Sequence, residues 1–186
     1  MPTQPIAEPI HLNYEDYCAL PEDGRRYEII DGDLHVSPSP IRIHQVVVGK
    51  LFFLLNDYIK RKKLGHVFFA PFDVILGDND IVQPDLIYVS RPHASMITEK
   101  NIQGAPDLLI EVLSPATANR DTRDKRNQYA RRGVPFYWIV DPAKPSILEL
   151  QLIDKAYAAL AEVAAAAEFA PTLFPGLAFE PARLTT

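Results

Sequence analysis

The chain has 186 residues and is 47% hydrophobic, which suits one domain with a real core and excludes a disordered chain. Its 19 basic and 24 acidic residues give a formal charge of −5, the wrong sign for a protein that coats nucleic acid constitutively. The single cysteine, Cys18, excludes an internal disulfide, and no run of about 18 uninterrupted apolar residues is present to span a membrane. The start MPTQPIAEPIHL lacks the basic and apolar regions of a signal peptide, so cytoplasmic placement without membrane contact is expected. Residues 1–11 read as a flexible N-terminal extension of a single domain over 1–186.

In chain order, RYEIIDGDLHV reads as a β-hairpin over 26–36, because Asp31-Gly32 suits a two-residue turn with positive φ at both positions. SPSP then leads into a long helix, for which Ser39 is the expected cap, Pro40 the first helical position and Gly65 the end. Val47, Leu51, Leu54, Leu55 and Tyr58 give this helix an apolar face, and KRKK at 60–63 reads as solvated surface before basic binding patch. Three strand-like runs follow, VFFAPFDVIL, IVQPDLIYVS and DLLIEVLS, separated by Gly, Asp, Asn and Pro.

A polar helix over about 120–132, closed by Gly133, connects DLLIEVLS to FYWIV at 136–140. Strand, helix and strand in that order predict a crossover that pairs the two strands in parallel. ILELQL resembles an edge strand. For 155–168 two readings stand: alanine content favours helix, whereas position after a turn favours a hairpin partner.

DLLIEVLSP contains one carboxylate among aliphatics. Strand alternation puts Leu109, Glu111 and Leu113 on one face and Ile110 and Val112 on the other. An ionised glutamate among leucines costs several kcal/mol unless it is protonated, paired with a cation or bound to a metal. Asp85, after Pro84, opens the preceding apolar run, so two carboxylates on neighbouring strands can meet a hard divalent cation. Set against this are a Glu111 satisfied by an arginine or by backbone donors, and an Asp85 that merely begins a strand. Asp107, in a second Pro-Asp pair, reads as a strand-opening residue.

The ordered set RYEIIDG, SPSPIRIHQ, APFDV, QPDLIYVS, APDLLIEVLSP, RDTRDKRNQYARRGV and YWIVDP resembles a large bacterial family of short putative restriction endonucleases, assigned to the PD-(D/E)xK nuclease superfamily. The resemblance runs from about residue 12 to the C-terminus and is most specific over 84–142. It implies an α/β fold with a restriction-endonuclease-like core: a mixed central sheet flanked by helices, with N-terminal and C-terminal β-hairpins. It also implies that Asp85 is the aspartate of the Pro-Asp motif and Glu111 the acidic residue of the second half-motif. Leu113 stands where the superfamily pattern has lysine, and the family pattern assigns that role to Lys125.

Lys125 and Tyr129 lie four apart on one helix face, with Tyr129 toward the sheet; the alternative for Lys125 is an exposed pair with Asp121. Glu28, inside the strand YEII, either approaches the site or pairs with an arginine. His44 is either an ordinary capping or core histidine or a group beside the site. The expected chemistry is phosphodiester hydrolysis with Mg²⁺ or Mn²⁺ held by Asp85, Glu111 and the carbonyl of Val112. Gln83, Arg123, Arg126 and Tyr129 are the expected substrate-binding residues. The expected partner is nucleic acid, with DNA as the default, and homodimerisation is compatible with cutting two strands. One alternative is a nuclease-derived binding or scaffold protein without turnover, with Glu111 neutralised by Lys125. Another is an enzyme for a small phosphorylated metabolite, which a closed pocket would favour.

Overall fold

The computed structural model describes residues 11–186, so the extension expected at 1–11 falls almost wholly outside the described residues. A short helix α1 (Tyr14–Cys18) is capped by the Asn13 side chain, and the hairpin β1 (Arg26–Ile30) and β2 (Asp33–Ser37) follows. Its turn has φ of 53° at Asp31 and 83° at Gly32, the conformation that Asp-Gly was expected to supply.

Helix α2 (Arg42–Lys62) starts later than the sequence suggests. Ser39 and Pro40 precede it, the residue at its N-cap is the extended Ile41, and no side chain caps it. At its other end Lys63, at φ 55°, takes the left-handed position, and Gly65 opens the next strand. Val47, Leu51, Leu55 and Tyr58 are buried and Leu54 is half-buried, so the apolar face is as expected. Lys60, Arg61, Lys62 and Lys63 are exposed, with Arg61 paired to Asp57.

Two of the three strand-like runs are cut at their prolines, which have no N–H for a ladder. VFFAPFDVIL divides at Pro71 into β3 (Gly65–Phe69) and β4 (Asp73–Gly77), and IVQPDLIYVS divides at Pro84 into β5 (Asp80–Val82) and β6 (Leu86–Ser90). The halves enter different sheets. Beyond them lie β7 (Asn101–Gln103) and β8 (Leu108–Val112), a wide-turned π-helical stretch (Arg120–Lys125) continuing into α3 (Arg126–Arg131), and β9 (Phe136–Asp141). The chain closes with β10 (Ser146–Ile153), β11 (Ala156–Ala164) and α4 (Ala182–Thr185).

The six-stranded sheet, in the order β11-β10-β9-β8-β6-β3, is the mixed central sheet. Its β8 and β9 pair in parallel across the expected crossover, and β10 with β11 forms the C-terminal hairpin, so of the span 155–168 the residues 156–164 are strand and none is helix. A second sheet of five strands, β2-β1-β5-β4-β7, holds the N-terminal hairpin. On one face of the central sheet Leu108, Ile110, Val112 and Trp138 pack under α2 and the C-terminal Phe169 and Phe174. On the other, Leu109 and Tyr137 meet Tyr129 of α3 and Val74, Val82 and Ile102 of the smaller sheet. Glu111 alternates onto this second face, at the seam where the smaller sheet and α3 converge.

Candidate active site

The seam gathers charged groups that the strands and helices deliver from distant positions. Glu28 is in the middle of β1, Asp85 precedes β6, Glu111 is the fourth residue of β8, and His44 lies in the first turn of α2; all four are buried. The π-helical stretch adds Asp121 and Lys125, also buried, where a purely exposed pair was the alternative. Wide turns of this kind change which side chains share a face, and here they turn both residues inward.

Lys125 is the hub. Its Nζ lies 2.7 Å from Glu28 Oε1, 2.8 Å from Glu111 Oε1 and 3.8 Å from Asp121 Oδ1. Glu111 Oε1 also accepts the Tyr129 hydroxyl at 2.7 Å, so both donors meet at one oxygen. The other, Oε2, has no hydrogen bond among the described residues. Glu28 is held further by the Gln83 N–H at 2.9 Å and the Ser37 hydroxyl at 3.4 Å.

Asp85 has a different set of partners. Its Oδ2 accepts the Val112 N–H at 2.9 Å and faces His44 Nε2 at 3.0 Å, while Oδ1 lies 3.5 Å from an Arg26 nitrogen. His44 Nδ1 is buried without a partner among the described residues. Arg26 also donates to the side chain and carbonyl of Gln83.

Three carboxylates share the one ammonium of Lys125, and this imbalance sets their protonation. Burial pushes the Glu111 carboxyl up to about 8, with Asp121, Asp85 and Glu28 adding to the rise against the opposing pull of Lys125. Burial raises Asp121 as well. For Glu28 burial is outweighed by Lys125, and for Asp85 by His44, the Val112 N–H and Arg26, so both are held below the usual carboxylate range. Lys125 itself stands above its ordinary value, because Glu111, Glu28 and Asp121 overcome its desolvation.

The site opens into a cleft of about 280 Å³, walled on one side by Ser37–Ile41 and on the other by Ser114–Thr117, with Glu111, Asp85, His44 and Lys125 among its lining. The structure thus brings together Asp85, Glu111, Lys125, Glu28 and His44. The substrate-binding set is placed otherwise. Arg123 and Arg126 line a separate hollow with Lys155 and Tyr157, because the stretch from Arg120 to Arg132 turns them toward the β10–β11 hairpin. Tyr129 is fully buried and orients Glu111 from behind, and Gln83 faces Asp73 and Tyr17 behind the cleft. Val112 contributes its N–H to Asp85.

Among the described residues, the cations that line the cleft besides Lys125 are Arg26 and Arg120, neither of them among the expected substrate-binding residues. Arg120 donates to the Ser37 hydroxyl at 2.8 Å and keeps a buried Nε without a partner among the described residues. Arg26 could have been found, since it stands two before Glu28 on a strand and so shares its face. Asp107 begins its strand as expected, accepting the Ser90 N–H at 2.7 Å.

The sequence profile of the family Uma2, described as "Putative restriction endonuclease", matches residues 14–183. The chain belongs to this family. Its fold is that of a protein from Anabaena variabilis ATCC 29413 described as a putative nuclease belonging to DUF820, with a TM-score of 0.76 and 18% identity over 94% of this chain and 97% of that one. No curated protein matches the chain. No helix among the described residues is long and apolar enough to cross a membrane.

Proposed function

We propose that this protein is a divalent-metal-dependent nuclease that hydrolyses phosphodiester bonds in nucleic acid, with DNA as the default substrate. One observation carries the reading: Lys125, arriving from the helix after β8, puts its ammonium 2.8 Å from Glu111, compensating for Leu113 on the strand. Among the described residues no three His, Cys, Asp or Glu side chains are gathered as a ready-made metal cage. The donor chemistry nevertheless fits Mg²⁺ or Mn²⁺, since Mg²⁺ is commonly held by one or two carboxylates and completes its shell with water and substrate phosphate. Asp85 and Glu111, with the carbonyl of Val112, would hold it. When bound, the cation supplies polarisation of the phosphoryl oxygen and a lowered pKa for water.

The chain's own groups do the rest. Lys125 orients the attacking water and steadies the negative charge that develops on the phosphate, which is worth most in a site with little water. Glu28 fixes Lys125 in place, and His44 with the Val112 N–H fixes Asp85. Glu111 must give up its proton before it can hold a cation, so metal binding and deprotonation are one event. Arg26 and Arg120 hold the phosphate backbone, which gives affinity without sequence readout. The open cleft admits a polymer more readily than a closed metabolite pocket would.

The saturated Lys125 is also the observation that favours the alternative, a scaffold in which Glu28, Lys125 and Glu111 form a plain buried ion cluster. Mn²⁺-dependent cleavage of circular, linear and single-stranded DNA, run beside Glu111→Ala and Lys125→Ala, separates the two. Cleavage lost in both variants supports the nuclease. If no substrate is cut and millimolar Mg²⁺ leaves the melting temperature unmoved, the scaffold reading replaces it.

A further inference from the structure

Beside the cleft lies a second hollow of about 600 Å³, within the range of small-ligand sites. To the polar groups it shares with its neighbour it adds an exposed aromatic ring and apolar side chains. Phe69, at the end of β3 and 53% exposed, and Val36, 46% exposed, stand in it with Pro38, Pro71 and Val48. Single exposed apolar residues are ordinary, but here several line one concave surface. The Phe69 ring is braced edge-on by Phe52, with centroids 4.8 Å apart and planes at 73°. The two hollows share Arg26, Ser37, His44 and Asp85, so a phosphate at Asp85 has the apolar chamber next to it.

We propose that this chamber receives an unpaired nucleobase, stacked on Phe69, so that the substrate is single-stranded or carries an unpaired nucleotide beside the cut. The proposal rests on the nuclease reading above and deepens it. A phosphate held by Arg26 beside Asp85 would have its own nucleoside one step along the backbone, and the neighbouring space presents the Phe69 ring together with Val36, Val48 and prolines. In a duplex that base is stacked and paired, and it reaches such a chamber only by leaving the helix. Stacking on an aromatic ring accepts any base, so the ring supplies affinity without sequence readout.

The test uses the full chain and a short single-stranded oligonucleotide carrying 2-aminopurine, whose fluorescence reports stacking, with wild type, Phe69→Ala and Phe69→Trp. Binding without metal is expected to weaken about tenfold in Phe69→Ala and to survive in Phe69→Trp. With Mn²⁺, the ratio of single-strand to duplex cleavage is expected to fall in Phe69→Ala. If Glu111-dependent cleavage occurs with the same ratio and the same affinity in all three proteins, the chamber assignment is overturned and the nuclease reading stands. If the oligonucleotide binds in a Phe69-dependent way and nothing is cut, the chamber stands and the nuclease reading falls.

Discussion

Asp80 and Glu111 are both buried carboxylates on strands, and both face cations delivered by the stretch from Arg120 to Arg132. Asp80 receives Arg132, the Gln128 amide and the Asp31 N–H at 2.8 Å, a full set of donors around one charge. Glu111 shares Lys125 with Glu28 and Asp121, and one of its oxygens has no donor among the described residues. Saturation makes a brace, here one that ties the smaller sheet to α3. Charge imbalance beside an open cleft is what the proposed metal-binding role needs.

The sharpest way to break this comparison is to remove each carboxylate. Asp80→Ala strands Arg132 and Gln128 at the junction and is expected to cost about 3 kcal/mol, the lower end for a broken buried pair because Arg132 is 39% exposed. Glu111→Gln keeps acceptors for Lys125 and Tyr129 and removes a carboxyl that is largely protonated at neutral pH, so its stability is expected to stay within about 1 kcal/mol of wild type. Urea unfolding measures both, and equal losses would erase the distinction between brace and site.

Catalysis should respond in the opposite sense. Lys125→Ala is expected to lower the rate about 10²- to 10³-fold, as removal of one preorganised charge stabiliser does, whereas Arg132→Lys should leave it near wild type. Single-turnover cleavage with Mn²⁺ reads the difference. A Lys125→Ala rate within twofold of wild type would assign Lys125 to the brace class.

The proton on Glu111 gives a smaller, directional effect. Its folded pKa of about 8 lies above the ordinary 4.5, so in the metal-free protein its stabilising share is complete below about 4.5 and is lost as pH climbs to about 8. On the proposed reading a bound Mg²⁺ would reverse the sense, because it needs the ionised form. Affinity is therefore expected to fall about tenfold per pH unit below about 8, measurable by calorimetry with proton release. In Glu111→Gln the slope should vanish.

Much of this was legible from local chemistry. Asp31-Gly32 dictates its turn, period-two alternation singles out Glu111, and the β8-helix-β9 order dictates parallel pairing. Three features were not legible. Prolines at 71 and 84 divide runs whose halves join different sheets, and only long-range pairing decides where each half goes. Ser39 has the chemistry of a cap, but the Ser37–Ile41 segment stays extended to wall the cleft, so the helix begins without one. Alanine-rich 156–164 is a strand because β10 offers it an edge, with Tyr157 packing inward against Tyr137 as tertiary context overrides propensity.

The same limit governed the arginines, and it supplies the finest test. A regular 3.6-residue period cannot foresee a π-helical stretch, whose wider turns put Arg120 at the cleft and Arg123 beside the β10–β11 hairpin. If Arg120 holds a phosphate, Arg120→Ala should reduce the slope of log affinity against log salt by about one. Arg123→Ala should leave that slope unchanged while lowering net charge by the same amount, so overall charge cannot account for the contrast. Equal slopes in the two variants would mean that nucleic acid also runs across the outer hollow, and the cleft would then be only part of the binding surface.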